Sequence, residues 1–204
     1  MKKIISFIIF SCICYTSQAQ HAKERTALGI SISGMGHNSA FHWTSLDGAG
    51  SYSGESYHSL AIIYLRSLSN KFDLETGIAY GKSSYLFSNS SVGPDVDASH
   101  KAYLSLIEVP VTVRFNLGQY FFLNGGLLLD FDISKEKQLD NQTGIGGILG
   151  AGAKYDFKST PIGLFINPFL KHRPLIPFTS EKHHLRTMET GLRIGIIFQN
   201  AISF

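Results

Sequence analysis

Apolar and polar residues alternate along most of the chain beyond its N-terminal segment. In residues 72–80, the apolar Phe72, Leu74 and Ile78 alternate with Asp73, Glu75 and small residues. Successive side chains of a β-strand point to opposite faces, so a period of two predicts a strand with one apolar face. The same pattern predicts strands at 107–115, 121–131, 145–157 and 188–198, and weaker patterns predict strands at 26–34, 59–67 and 162–171.

The connections between these eight predicted strands alternate in length. Three are tight, at 68–71, 116–119 and 158–161, and four are longer and polar, at 35–57, 83–102, 134–143 and 172–185. Short turns at one end and long loops at the other, with an even strand number, are typical of bacterial outer-membrane barrels. The pattern predicts an all-β fold: an eight-stranded antiparallel up-and-down transmembrane β-barrel with short periplasmic turns and long extracellular loops.

Charged residues occupy the non-apolar face in the middle of several predicted strands. In a small outer-membrane barrel, apolar side chains face lipid and polar side chains fill the interior. Six residues are therefore expected to form a charge network inside the barrel: Glu75, Glu108, Arg114, Lys154, Glu189 and Arg193. An unpaired buried charge is costly, so Glu108 and Arg114 are expected to pair with opposite charges on neighbouring strands, with Glu189 and Arg193 as the favoured partners.

The same alternation predicts which side chains face lipid, with Val111, Leu127, Leu129 and Ile194 in the middle of the apolar faces. A soluble lipocalin-like barrel, in which the apolar face lines the interior, is the alternative that alternation alone does not exclude.

The N-terminus has the features of a secretory signal peptide. Lys2 and Lys3 precede an apolar run at 4–14, and polar residues follow up to Gln20. This predicts a signal peptide at 1–20, cleaved near residue 20, and a barrel domain at 21–204. An uncleaved anchor and a lipoprotein signal at Cys12 are the alternatives. Cleavage removes both cysteines, Cys12 and Cys14, so the mature chain of 204 − 20 = 184 residues is expected to hold no thiolate ligand or nucleophile.

Charge argues against a nucleic-acid partner. The formal net charge of +3 includes Lys2 and Lys3, and without them the chain has 18 − 2 = 16 basic and 15 acidic residues with no basic cluster. The predicted partners are outer-membrane lipid and a protein bound through the extracellular loops. No cofactor is predicted.

Several short motifs resemble those of a known family. They are Ser17-Gln18-Ala19-Gln20, Ile107-Glu108-Val109-Pro110, the glycine-rich stretches 124–127 and 150–155, and the final strand 191–198. Together they resemble the PorT-like outer-membrane β-barrel proteins of Bacteroidetes over essentially all of the mature chain. The resemblance implies a barrel in the outer membrane, and its namesake member implies a link to the type IX secretion and gliding machinery.

The first long loop holds the predicted contact residues. Phe41, Trp43, Tyr52 and Tyr57 stand among glycines and serines there, and aromatic residues supply much of the binding energy at interfaces. Trp43 also fits the aromatic belt at the membrane surface. The predicted function is an outer-membrane scaffold, not an enzyme, whose loops bind a partner protein or surface ligand, as an accessory of a secretion or gliding machine.

Two other functions compete with the scaffold. A lipid hydrolase would use His37 and Ser39, which share a strand face, with Asp47 or Glu55 orienting the histidine. Alanine at His37 would separate hydrolysis from binding. A small channel would use the inward charges, although eight strands enclose only enough space for side chains. Seven histidines lie in or beside the long loops, but none has metalloprotease spacing and no metal site is predicted.

Overall fold

Eight antiparallel strands close into a barrel in chain order. The computed structural model describes residues 25–41, 51–88, 100–135, 139–179 and 185–199. The predicted signal peptide lies outside this part of the chain. Each strand pairs with its sequence neighbours, and β1 pairs with β8 to close the barrel. The strands are β1 (Thr26–Phe41), β2 (Ser51–Ser67), β3 (Phe72–Ser88), β4 (His100–Leu117), β5 (Phe121–Asp132), β6 (Gly144–Asp156), β7 (Ile162–Pro177) and β8 (Arg186–Gln199). The predicted eight-stranded antiparallel up-and-down barrel is confirmed.

The two ends of the barrel differ, as the sequence predicts. At the turn end, residues 68–71, 118–120 and 157–161 connect the strands tightly, and Gly118 adopts a positive φ of 71°, which glycine accommodates without strain. At the loop end, residues 42–50, 89–99, 133–143 and 178–185 connect them.

Three of the four loops are shorter than the sequence predicts. β1 continues to Phe41 and β2 begins at Ser51, so most of the predicted first loop at 35–57 is strand. β3, β4 and β7 are longer in the same way. The added residues mix polar and apolar side chains without the period of two, and they extend the strands because backbone hydrogen bonds, which need no apolar side chain, continue the ladder.

The outer face of the barrel is apolar over its middle. Val111 is 52% exposed, Leu127 55% and Ile194 40%, whereas Leu129 is half-buried. On β3, Ile78 and Tyr80 point outward, and Glu75 points inward with 1% exposure. A soluble barrel would have the opposite arrangement, because it buries its apolar side chains away from water.

The interior is mixed rather than uniformly polar, which corrects the expectation. Three apolar layers cross it. The turn-end layer contains Ile63, Leu65, Phe122, Phe165 and Ile197; the middle layer contains Tyr57, Leu128, Ile148 and Phe169; the loop-end layer contains Ala40, Tyr85, Ala102, Leu104, Leu106, Leu139 and Leu185. The inward Ile63 and Leu65 explain why β2 is apolar on both faces. Polar side chains occupy the space between the layers.

Candidate functional site: the filled interior and the loop end

A cluster of three charges lies on the loop side of the turn-end layer. Glu75 of β3 accepts hydrogen bonds from Arg114 of the adjacent β4 and, across the barrel, from Nη1 of Arg193 of β8 at 2.6 Å. The Arg114 guanidinium lies 4.2 Å from the centre of the Phe122 ring, and that of Arg193 lies 5.3 Å from the centre of Phe165. We call Glu75, Arg114 and Arg193 the turn-side cluster. It pairs one carboxylate with two guanidinium groups that rest on aromatic faces.

A second, larger cluster lies nearer the loop end and contains Glu108, Asp130, Lys171, Arg173 and Glu189. Lys171 Nζ donates to Glu108 Oε2 at 2.6 Å. Arg173 lies among three carboxylates, with Nη1 3.3 Å from Glu108, Nη2 3.2 Å from Glu189 and Nε 3.5 Å from Asp130. All five side chains are buried. We call them the loop-side cluster.

The two clusters balance each other in charge. The turn-side cluster has one acid and two bases, and the loop-side cluster has three acids and two bases, so the eight groups are four of each sign. The side-chain amides of Asn124 and Asn167 touch at 2.8 Å in the interior as well. Such balance is what a low-dielectric interior requires, because each uncompensated buried charge costs several kcal/mol.

The predicted charge residues are inward, but their pairing differs from the expectation. Glu75, Glu108, Arg114, Glu189 and Arg193 are buried in the two clusters. Arg114 pairs with Glu75 on the neighbouring β3, as expected, whereas Glu108 pairs across the barrel with Lys171 and Arg173 of β7. The expected partners are wrong, because Glu189 lies against Arg173 and Arg193 lies against Glu75.

The sequence interpretation missed Asp130, Lys171 and Arg173. The sequence did contain a signal for Asp130 and Lys171. Asp130 lies on the same face of β5 as the inward Asn124, and Lys171 lies on the same face of β7 as the inward Asn167. The pattern of β7 is weaker because its inward face also carries Phe165 and Phe169. A strand that is apolar on both faces conceals its inward charges.

Lys154 belongs to neither cluster. It lines a cavity of about 270 Å³ at the turn end, where its Nζ donates to Asn116 Oδ1 at 2.7 Å. Asn116 in turn donates to Asp73 at 2.7 Å. Leu65 and Ile197 of the turn-end layer and Arg114 also line this cavity. The cavity is therefore a shallow vestibule bounded by the turn-end layer.

Residues 139–143 and Leu185 cover the loop end of the interior. Leu139 and Leu185 complete the loop-end layer. The Leu185 amide donates to Asp140 Oδ2 at 2.7 Å, and Gln142 Nε2 donates to the Leu185 carbonyl at 2.8 Å. These contacts hold the segment after β5 against the start of β8, so the described part of the loop end folds inward over the core.

The four predicted contact aromatics do not form one surface in the described residues. Phe41 ends β1, half-buried, with its ring 5.7 Å from that of His172. Trp43 and the side chain of Tyr52 lie outside the described residues.

The prediction that Tyr57 is a contact residue in the first loop is wrong, because its side chain is 2% exposed inside the barrel. Its hydroxyl accepts from Lys171 at 2.9 Å and donates to Ser59 at 3.0 Å. β2 begins at Ser51, well before Tyr57, so this residue takes the inward parity of a strand rather than a place in a loop.

His37 and Ser39 of the alternative hydrolase lie on the outer face of β1. His37 is exposed, and its backbone carbonyl accepts from Thr190 Oγ1 at 3.2 Å. Glu55, one of the two carboxylates considered for orienting it, pairs instead with Lys101 at 3.0 Å. Asp47 lies outside the described residues. In the described part of the chain, no three His, Cys, Asp or Glu side chains are grouped so as to hold a metal.

Comparison with known proteins gives the family. Among the described residues, no helix is long and apolar enough to cross a membrane. Residues 18–199 match the family described as outer membrane protein beta-barrel domain. The chain belongs to this family. It is thus an outer-membrane protein, and its exposed apolar outer face lies against lipid.

The other comparisons add less. No curated protein matches the chain significantly. Among solved structures, the barrel is similar to the translocator domain of autotransporter NalP from Neisseria meningitidis, with 9% identity and a TM-score of 0.35 over 97% of each chain.

Proposed function

We propose that this outer-membrane barrel is a non-conducting scaffold that binds a partner protein or surface ligand through its loop end. The observation that carries the proposal is the filled interior. Three apolar layers alternate with two buried charge clusters between the turn-end vestibule and the loop end.

The interior argues against conduction on energetic grounds. A water-filled path through the barrel would have to separate the ion pairs of both clusters. Breaking one buried pair costs about 3–5 kcal/mol, and the clusters contain several. An eight-stranded barrel has little spare volume to accommodate displaced side chains. The barrel wall and core therefore support the loops rather than transport ions.

The loop end, like the turn end, lies away from the lipid, and it carries the longer connections. The strands extend past the apolar band there, and the connections 42–50 and 89–99 join them at that end. Binding residues are commonly found on loops held by such a scaffold. The PorT-like resemblance supports a finer proposal, in which the bound partner belongs to a secretion or gliding machine. A role without catalysis agrees with the ion pair between Glu55 and Lys101, because Glu55 is one of the two carboxylates that a hydrolase would use to orient His37.

Photo-crosslinking in cells tests this function. A photoreactive amino acid at Trp43 in the first loop is expected to give one discrete crosslinked protein, because loop residues meet the partner. The same amino acid at Leu127 on the lipid face is the matched control and is expected to give none. Discrete products from Leu127 alone, or from neither position, would contradict binding through the loop end.

A further inference from the structure

A basic and aromatic patch lies on the outer face of β2, β3 and β4, just beyond the apolar band. On these three strands the outward side chains change from apolar to polar along one hydrogen-bonded row. His58 of β2 pairs with Lys82 of β3, which pairs with Ser105 of β4. The residues that precede this row toward the turn end are apolar: Leu60, Tyr80 and Ile107.

Lys82 is held over an aromatic ring rather than by a carboxylate. Its Nζ lies 5.6 Å from the centre of the Tyr103 ring, and Tyr103 is 44% exposed. Among the described residues, no carboxylate pairs with Lys82. Lys101, farther toward the loop end, is different because Glu55 neutralises it at 3.0 Å. We call His58, Lys82 and Tyr103 the outer basic patch.

The height of the patch matches that of lipid headgroups. Lys82 follows Phe72 by ten residues on β3, and Phe72 is the exposed aromatic residue at the turn end of that strand. At about 3.3 Å per residue and a tilt of about 40°, the two lie about 25 Å apart along the barrel axis. That distance is about the height of the apolar band of outer-membrane barrels. Phe72 and Lys82 therefore mark the two edges of the lipid hydrocarbon.

The patch is confined to one side of the barrel. Beside Ser105 lies Ile133, the residue after β5, which is 45% exposed. On the far side Ile176 and Phe178 are exposed close to the loop end, and the cation there, Arg186, donates to the carbonyl groups of Pro174 and Leu175. A cation needed only for general solubility would not require a single location. A localised cation on an aromatic ring, with neighbouring imidazole and hydroxyl groups, suits a phosphate group.

We infer that the outer basic patch binds the phosphate of a lipid in the outer leaflet, a phosphorylated lipid A. The loop end faces outward in barrels with short periplasmic turns, which places Lys82 at the outer leaflet. The lipid phosphate interacts with the Lys82 ammonium, His58 and the Tyr103 hydroxyl offer hydrogen bonds, and the acyl chains lie along Leu60, Ile107 and Tyr80.

Binding of purified lipid A to the intact, detergent-solubilised protein tests the inference by native mass spectrometry. Lipid A carrying its phosphates is expected to bind more tightly than the same lipid A after enzymatic dephosphorylation. This comparison uses the unaltered protein and needs no variant. Equal binding of the two lipids would overturn the inference. Equal binding of phosphatidylglycerol would also overturn it, because any lipid phosphate would then suffice.

Two matched variants locate the site. Lys82→Gln is expected to weaken binding of phosphorylated lipid A about fivefold, the effect of one cation at a membrane surface. Lys71→Gln removes the same charge at the turn end and is expected to change nothing. Equal loss in both variants, or no loss in Lys82→Gln, would contradict the assigned site. If Lys82→Gln fails to assemble, Tyr103→Ala provides the same test by removing the ring beneath the ammonium.

Discussion

The turn-side cluster supports the most quantitative prediction. Glu75 is 1% exposed and binds Arg114 and Arg193 together. Glu75→Gln leaves two guanidinium groups close together in the interior without a counter-charge. Breaking a buried pair in this way costs about 3–5 kcal/mol. We expect the free energy of unfolding to fall by that amount.

Removing a matched pair should cost less than the sum of its parts. In Glu75→Gln combined with Arg193→Met, one carboxylate and one guanidinium are lost together, so the cluster keeps the net charge of the parent. The two changes should therefore couple by about 0.5–3 kcal/mol, the range found for residues in direct contact. Glu75 Oε1 and Arg193 Nη1 are 2.6 Å apart, so the two side chains are in direct contact.

Unfolding in detergent, followed by heat-modifiable gel mobility and circular dichroism, measures each variant. Lys154→Met is the control. The Lys154 ammonium lies in the vestibule, so its removal is expected to lower the free energy of unfolding by less than about 1 kcal/mol. Additivity within about 0.5 kcal/mol in the double variant would refute the reasoning. It would show that the two side chains are solvated separately in an open interior.

Three further predictions concern the lipid face, the interior tyrosine and a close approach of strands. Leu127→Arg should destabilise the barrel by about 2–4 kcal/mol near the bilayer centre, while Gln119→Arg in a tight turn should not; equal melting of the two variants in lipid vesicles would contradict the face assignment. Tyr57→Phe should lower the stability of the barrel by about 1–3 kcal/mol, because it removes the hydroxyl that accepts from the buried Lys171, whereas the outward Tyr64→Phe should lower it by less than about 0.5 kcal/mol. If unfolding in detergent ranks the two variants the other way, Tyr57 is not buried in the interior. Gly152→Ala should slow assembly and lower stability by about 1–3 kcal/mol, because its Cβ would lie 2.6 Å from a backbone oxygen of β7. A gel shift like that of the parent would contradict this prediction and show that the strands can separate there.

The barrel itself could be predicted from sequence because its outer face is so regular. On β3 and β4, every second residue over the middle of the strand is apolar except Thr76, because side chains that face lipid must carry no charge. The number of strands and the inward direction of Glu75 and Arg193 follow from that one pattern. Tight turns such as that at Gly118 fix which strands are neighbours.

The interior was harder to predict because it has no single chemical character. Phe122 and Phe165 point inward beside arginines, so the inward face of their strands alternates between apolar and charged residues. Pairings across the barrel, such as Arg193 with Glu75, depend on strand tilt and side-chain length, which periodicity does not report. The position of Tyr57 depended on where β2 begins. A polar sequence hides that boundary because serine and glycine are common in both loops and strand ends.

Ion conductance across a planar lipid bilayer tests the central claim, that a filled interior makes this barrel a scaffold. The purified, folded protein is inserted in the bilayer and the current recorded under an applied voltage. The layered core and two balanced charge clusters predict no steady current above that of the protein-free bilayer. A steady, ohmic current from single insertions of the parent protein would contradict the claim and favour the small channel instead.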